Sequence, residues 1–104
     1  FSCYNYKVVI IMEENLKIYR NQIDEIDEKI QELFLKRMEI AAKIANYKLE
    51  HNYVVTDQSR ELDIFSKIDN NPNEIIKMYY KNIQKSLIEQ SKAYQKYLID
   101  TLKK

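Results

Sequence analysis

Residues 16–48 read LKIYRNQIDEIDEKIQELFLKRMEIAAKIANYK, a stretch that contains neither glycine nor proline. Apolar residues recur along it at alternating steps of three and four, which is the period of one face of an α-helix. These residues are Leu16, Tyr19, Ile23, Ile26, Ile30, Leu33, Ala41 and Ile44. The same register passes through Arg37 and Lys48, so we expect a helix with two cations in its apolar stripe. Cations in such a stripe predict a buried anion that offsets their lost hydration.

The composition favours a single all-helical domain. The 104 residues include no glycine and one proline, which leaves little of the turn chemistry that β-sheets need. The formal charge of +1 argues against nucleic acid or an anionic membrane as a partner, and no apolar run is long enough for a membrane span. One cysteine and one histidine argue against an intrachain disulfide and a metal centre, so we expect no cofactor and a reducing, cytoplasmic location.

The first eleven residues, FSCYNYKVVII, differ in character from the rest of the chain. They are aromatic and β-branched, which predicts a strand or an extended arm. Met12, next to two acidic residues, resembles an ordinary protein start. We therefore divide the chain into an N-terminal arm or extension of unknown role, residues 1–11, and a domain, residues 12–104.

The domain is expected to contain three helices, the first from about residue 13 to residue 50. A helix of about 50 Å is too long to be covered by one chain with an expected radius of gyration near ~13 Å, so we expect a dimer. Residues 51–56 predict a loop, and residues 57–68 predict a second helix, capped by Thr56 or Asp57. The apolar residues expected to be buried on this second helix are Leu62, Phe65 and Ile68.

A turn at residues 69–73, DNNPN, leads into a third helix predicted over residues 73–102, with Pro72 suited to its first position. Its expected buried stripe consists of Ile76, Tyr80, Ile83, Leu87, Tyr94 and Tyr97. Gln90 interrupts this stripe, and Ser86 lies one turn before it. Together with the two cations of the first helix, this amide and hydroxyl predict a pocket for a small anion with several oxygens. No histidine, cysteine or paired carboxylate is expected there, so the chemistry would depend on shape and fixed charge.

Three segments resemble the all-helical (AroQ) class of chorismate mutase. The first comprises residues 18–27, Arg37 and residues 41–48, which resemble the first helix of that family. Residues 57–61, DQSRE, look like its Asp-x-x-Arg-Glu motif, and residues 86–90, SLIEQ, match its Ser-x-x-x-Gln motif. The resemblance covers about residues 12–98, and it implies three helices per chain intertwined in a homodimer.

The activity that this resemblance implies is the Claisen rearrangement of chorismate to prephenate, in phenylalanine and tyrosine biosynthesis. By resemblance, Arg20 of the partner subunit and Arg37 hold the two substrate carboxylates, and Ser86 assists. Lys48 and Gln90 would donate hydrogen bonds to the ether oxygen, where negative charge grows as the C–O bond breaks.

The remaining assignments concern the substrate ring. By resemblance, Asp57, through its backbone, and Glu61 position the ring hydroxyl, and Arg60 orients the acidic residues nearby. The apolar walls implied are Ile44, Ile83 and Leu87. Without the resemblance, Asp57 is equally well explained as a helix cap, and Arg60 and Glu61 as a solvated ion pair.

Two alternatives stay open at this point. One is isochorismate–pyruvate lyase, an enzyme that shares this fold and similar cations. The other is a helical dimer without catalytic activity that mediates protein contacts.

Overall fold

The computed structural model describes the backbone of residues 3–103 and the side chains of residues 7–103. It contains three helices, α1 (Cys3–Glu50), α2 (Gln58–Ser66) and α3 (Glu74–Leu102), and residues 3–103 form no strand. The predicted all-α class with one very long helix is therefore confirmed. No helix in the described part combines the length and apolarity needed to cross a bilayer. The chain divides between Lys36 and Arg37 into two compact units.

The first unit consists of the N-terminal part of α1, and it corrects the prediction for residues 1–11. Residues 3–11 are helical and not a strand or extended arm, while Phe1 and Ser2 lie outside the described residues. The β-preference of valine and isoleucine amounts to less than about 1 kcal/mol per residue. Extending an existing helix needs no new nucleus, and no glycine or proline stops it here. The boundary proposed at residue 12 stays a prediction.

The apolar stripe of this first unit is exposed. Six side chains of the predicted stripe have 44–63% of their surface accessible: Leu16, Tyr19, Ile23, Ile26, Ile30 and Leu33. Their helical period is as the sequence predicts, but the described residues of the single chain do not bury them. An apolar stripe of this length on a protein surface is typical of an interaction face.

The second unit contains the last turns of α1 together with α2 and α3, and each helix boundary has a local cause. Asn52, with φ of 59°, takes the left-handed conformation just beyond α1, which asparagine tolerates better than most residues. Asp57 is the N-cap of α2, and its side chain accepts a hydrogen bond from Arg60 N at 3.0 Å. Asn73 is the N-cap of α3, so Pro72 precedes the cap and does not occupy the first helical position.

The buried face of α3 differs from the predicted one. Ile76, Tyr80, Ile83 and Tyr97 are all exposed, and Leu87 and Tyr94 are only half-buried. The buried residues are Gln84, Ile88, Ser91, Gln95 and Ile99. α3 therefore has two faces, and the polar one packs inside its own chain. The predicted burial of Leu62 is also wrong, since it is 71% exposed, whereas Phe65 and Ile68 are half-buried.

The N-cap of α3 yields a stability prediction. The side chain of Asn73 accepts hydrogen bonds from Ile75 N and Ile76 N, each at 3.1 Å. Asn73→Ala removes the acceptor for both donors, so we expect it to lower the free energy of unfolding by about 0.5–2 kcal/mol. Urea denaturation followed by circular dichroism measures this loss, with Asn70→Ala, at an exposed position outside the helices, as the matched control. Equal midpoints for the two variants would contradict the capping role.

Candidate active site

A cleft of about 420 Å³ opens in the second unit between α1, α2, α3 and the loop that joins α1 to α2. Its polar lining from the two long helices is Arg37, Lys48, Ser91 and Gln95. The second helix and its cap contribute Asp57, Arg60 and Glu61, and Lys92 completes the charged set. Isoleucines from all three helices form much of the apolar wall: Ile40, Ile44, Ile64 and Ile88. The cleft thus combines charged groups with walls that hold little water.

Arg37 is fixed to α3 by two neutral acceptors. Its Nη1 donates to the backbone oxygen of Leu87 at 3.2 Å and also to Ser91 Oγ. The arginine is half-buried and the serine is buried, so water competes weakly for these hydrogen bonds. The bonds orient the guanidinium without neutralising its charge, which leaves the charge available to an anion in the cleft.

Lys48 is held in the same manner. Its Nζ donates to the backbone oxygen of Val55 at 2.6 Å and to Gln95 Oε1 at 3.3 Å. Gln95 is almost completely buried, and its amide N–H donors are not used in the bond to Lys48. An ammonium and an amide group are thus adjacent on the cleft wall. Together they can donate to one oxygen atom of a ligand.

The charges around the cleft favour a ligand with two negative charges. Its lining carries four cations and two carboxylates, which is a formal charge of +2: Arg37, Lys48, Arg60, Lys92, Asp57 and Glu61. Among residues 7–103, neither Arg37 nor Lys48 forms an ion pair with a carboxylate. The charges of Arg37 and Lys48 are therefore stabilised by dipoles only, and a small dianion in the cleft would neutralise them.

Six of the residues predicted from the sequence line this one cleft: Arg37, Ile44, Lys48, Asp57, Arg60 and Glu61. Asp57 lines the cleft and is also the N-cap residue of α2. The cap also sets the position of Glu61, whose backbone N–H donates to Asp57 O at 3.1 Å in the first turn of the helix. Arg60 is directed to Asp63, which accepts from its Nη1 at 2.8 Å, and both side chains are more than half exposed. Arg20 lies on the first unit, is exposed, and is not part of the cleft lining.

On α3, the side chains that line the cleft lie five positions beyond the predicted ones. Ser86, Gln90 and Ile83 are exposed and do not line the cleft, which is lined instead by Ser91 and Gln95. The Leu87 side chain is not in the lining either, although its backbone oxygen binds Arg37.

This difference arises because the Ser-x-x-x-Gln spacing occurs twice in succession, as SLIEQ at residues 86–90 and SKAYQ at residues 91–95. A shift of five residues turns a helix by about 140°, onto a different face. The repeat of this spacing is the signal in the sequence that points to residues 91–95 as a second candidate. Six further lining residues were not predicted as part of the site. They are Val55 in the loop, and Ile40, Ala41, Ile64, Ile88 and Lys92 on the helices.

The family model described as chorismate mutase type II matches residues 19–96, about three quarters of the chain. The chain belongs to this family. Its match includes every residue that lines the cleft.

Curated relatives agree with this assignment. A chorismate mutase of Methanocaldococcus jannaschii is 36% identical over 99 residues, which cover 89% of this chain and 97% of the relative. Two bifunctional chorismate mutase/prephenate dehydratases of Buchnera aphidicola, from the subspecies Schizaphis graminum and Acyrthosiphon pisum, are 28% and 32% identical. Those matches cover 85% and 82% of this chain but only 25% and 23% of the relatives, so the chain spans about a quarter of their length. No solved structure matches the chain significantly.

Proposed function

We propose that this chain is a chorismate mutase that rearranges chorismate to prephenate in phenylalanine and tyrosine biosynthesis. The observation that carries the proposal is the Lys48 ammonium beside the Gln95 amide, in a cleft whose lining has a formal charge of +2. Family membership supports the proposal, and so does the M. jannaschii relative, a protein named chorismate mutase that matches over nearly its whole length.

The rearrangement suits a cleft of this kind because it occurs within one molecule. One C–O bond breaks while one C–C bond forms, and the reaction needs neither a nucleophile nor a general base. Catalysis then depends on holding the substrate in its compact, reactive conformation. It depends as well on stabilising the negative charge that develops on the ether oxygen. Lys48, fixed by Val55 O and Gln95 Oε1, donates to that oxygen, and the Gln95 amide N–H is the second donor.

The other cleft residues bind and orient the substrate. Arg37, already oriented by Ser91, holds one carboxylate through charge-assisted hydrogen bonds, which are worth about 1.5–3 kcal/mol each. Glu61 accepts a hydrogen bond from the ring hydroxyl, and the backbone of Asp57 assists at the same end. The apolar walls, Ile44, Ile64 and Ile88, exclude water and thereby strengthen these electrostatic contacts.

We propose further that the chain works as an intertwined homodimer. The exposed stripe of the first unit, Leu16 to Leu33, repeats with helical period and would be buried by a second copy of the same helix. Arg20 lies within the length of this stripe. In the proposed dimer, Arg20 of the partner subunit binds the second substrate carboxylate. A cytoplasmic location also stays a prediction.

The activity is tested by mixing the purified chain with chorismate and following the loss of its ultraviolet absorbance. We expect chorismate to be consumed and prephenate to be the only product. A parallel incubation with isochorismate tests for isochorismate–pyruvate lyase activity. Salicylate and pyruvate from isochorismate would identify a lyase, and no turnover of either compound would favour a non-catalytic interaction module.

The register of α3 provides a second prediction. Gln95→Met keeps the side-chain volume but removes both the amide donor and the oxygen that accepts from Lys48. We therefore expect kcat to fall by at least the roughly 10²–10³-fold that is typical for removal of one oxyanion-hole donor. Gln90→Met is the matched control, because Gln90 lies on the same helix and is exposed. We expect its kcat to stay within about twofold of the unsubstituted chain, as for a residue outside the site. The reverse ranking of the two variants would return the site to residues 86–90.

A shared site gives a third prediction. Arg20→Ala and Arg37→Ala should each lose most activity alone, since each removes a cation that binds a carboxylate. A heterodimer of the two variants contains one site with both arginines and one site with neither. Random pairing after co-expression should therefore restore about one quarter of the activity of the unsubstituted dimer, because half of the dimers are mixed. Each variant expressed alone is the control, and no recovery in the mixture would exclude a partner arginine.

A further inference from the structure

Lys92 is adjacent to Ser91 on α3 and lines the same cleft. Its Nζ lies 3.0 Å from Glu61 Oε1 on α2, across a sequence separation of 31 residues. The side chains of the pair are 34% and 22% exposed, compared with 57% and 55% for Arg60 and Asp63. This pair therefore joins two helices and is less hydrated than the local pair beside it. A partly desolvated pair in a fixed geometry contributes more than a surface pair.

We propose that Lys92 is a positioning residue that holds the Glu61 carboxylate in the orientation required to accept a hydrogen bond from the substrate ring. This inference rests on the proposed function. Lys92 binds Oε1 of Glu61, and the second carboxylate oxygen can then accept from a ligand hydroxyl. A free glutamate side chain would distribute over several rotamers, and fixing one of them before binding removes that entropy cost.

The weak anchoring of α2 explains why the carboxylate needs this support. α2 has nine residues, Gln58–Ser66, and none of them is buried. Besides the ion pair, a hydrogen bond from Gln84 Nε2 to Ile64 O at 3.3 Å joins α2 to α3. Packing alone therefore holds α2 weakly, and a cation on α3, which has five buried residues, is well placed to set the position of Glu61.

The charge of Lys92 has a second consequence for a dianionic substrate. An unpaired Glu61 carboxylate in the cleft would repel the substrate carboxylates. Lys92 offsets that repulsion while remaining bound to Glu61. Its loss should then weaken substrate binding more than the chemical step.

The alternative role for Lys92 is direct contact with a substrate carboxylate, and a double-mutant cycle separates the two roles. The variants are Lys92→Met, Glu61→Gln and the double variant, and kcat and KM for chorismate are measured for each. If Lys92 acts through Glu61, Lys92→Met should lower kcat/KM about tenfold, mostly through KM, when Glu61 is present. The same substitution should change kcat/KM by less than about twofold in the Glu61→Gln background, since nothing then remains to be positioned.

Two further variants complete the design. Lys92→Arg keeps a cation within reach of Glu61 and should recover most of the lost kcat/KM. Lys85→Met removes an exposed charge from the same helix and should leave kcat/KM unchanged. Unfolding curves measured by circular dichroism establish that each variant is folded. If Lys92→Met does not fold, Lys92→Arg takes its place in the comparison of the two backgrounds.

The outcomes separate the failure of this inference from failure of the proposed function. An equal effect of Lys92→Met in both backgrounds would mean that Lys92 acts independently of Glu61 and would overturn the inference. A Lys92→Met variant with unchanged kinetics would overturn it as well. Absence of chorismate turnover by the unsubstituted chain would instead remove the proposed function, and with it the role given to Lys92.

Discussion

Two half-buried cations, Arg37 and Lys48, are held by neutral oxygen atoms, and the rest of the site depends on this arrangement. The acceptors are a serine hydroxyl, an amide oxygen and two backbone carbonyls. Pairing with carboxylates would also have satisfied the donors, but it would have cancelled the charge. Because dipoles orient the cations without neutralising them, the cleft keeps the positive potential that an anionic ligand requires. An anionic ligand then supplies the ion pairs that Arg37 and Lys48 do not form within the chain.

The same residues that end and begin the helices also shape the cleft. Asn52 ends α1 through its left-handed conformation, and the adjoining loop brings Val55 O to Lys48. Asp57 then begins α2 and fixes Glu61 one turn later. Short-range capping therefore places both the carbonyl that orients the Lys48 ammonium and the Glu61 carboxylate in the lining of the cleft. A change in this loop would displace both groups together.

The helices and the α1 side of the cleft could be predicted because their signals are local. Absence of glycine and proline, a regular apolar period and side chains suited to capping predict helices, and Arg37 and Lys48 stand out in that period. The register of α3 could not be obtained in the same way. Its outward face is the more apolar one, so periodicity selected Ile83 and Gln90, whereas the inward face carries Ser91 and Gln95. Which face packs against α1 and α2 depends on contacts distant in sequence.

The two faces of α3 connect stability with the proposed activity. Burying a polar face inside a chain while an apolar face stays exposed is unfavourable unless the apolar face is covered in some other way. Tyr80, Ile83 and Tyr97 on α3 are as exposed as the stripe of the first unit, and in the proposed homodimer a second copy would cover such surfaces. The polar residues of α3 can then bind the ligand, because the apolar face provides the hydrophobic stabilisation on association. Loss of association would accordingly remove stability and a partner arginine at once, so the folded state and the complete site would be lost together.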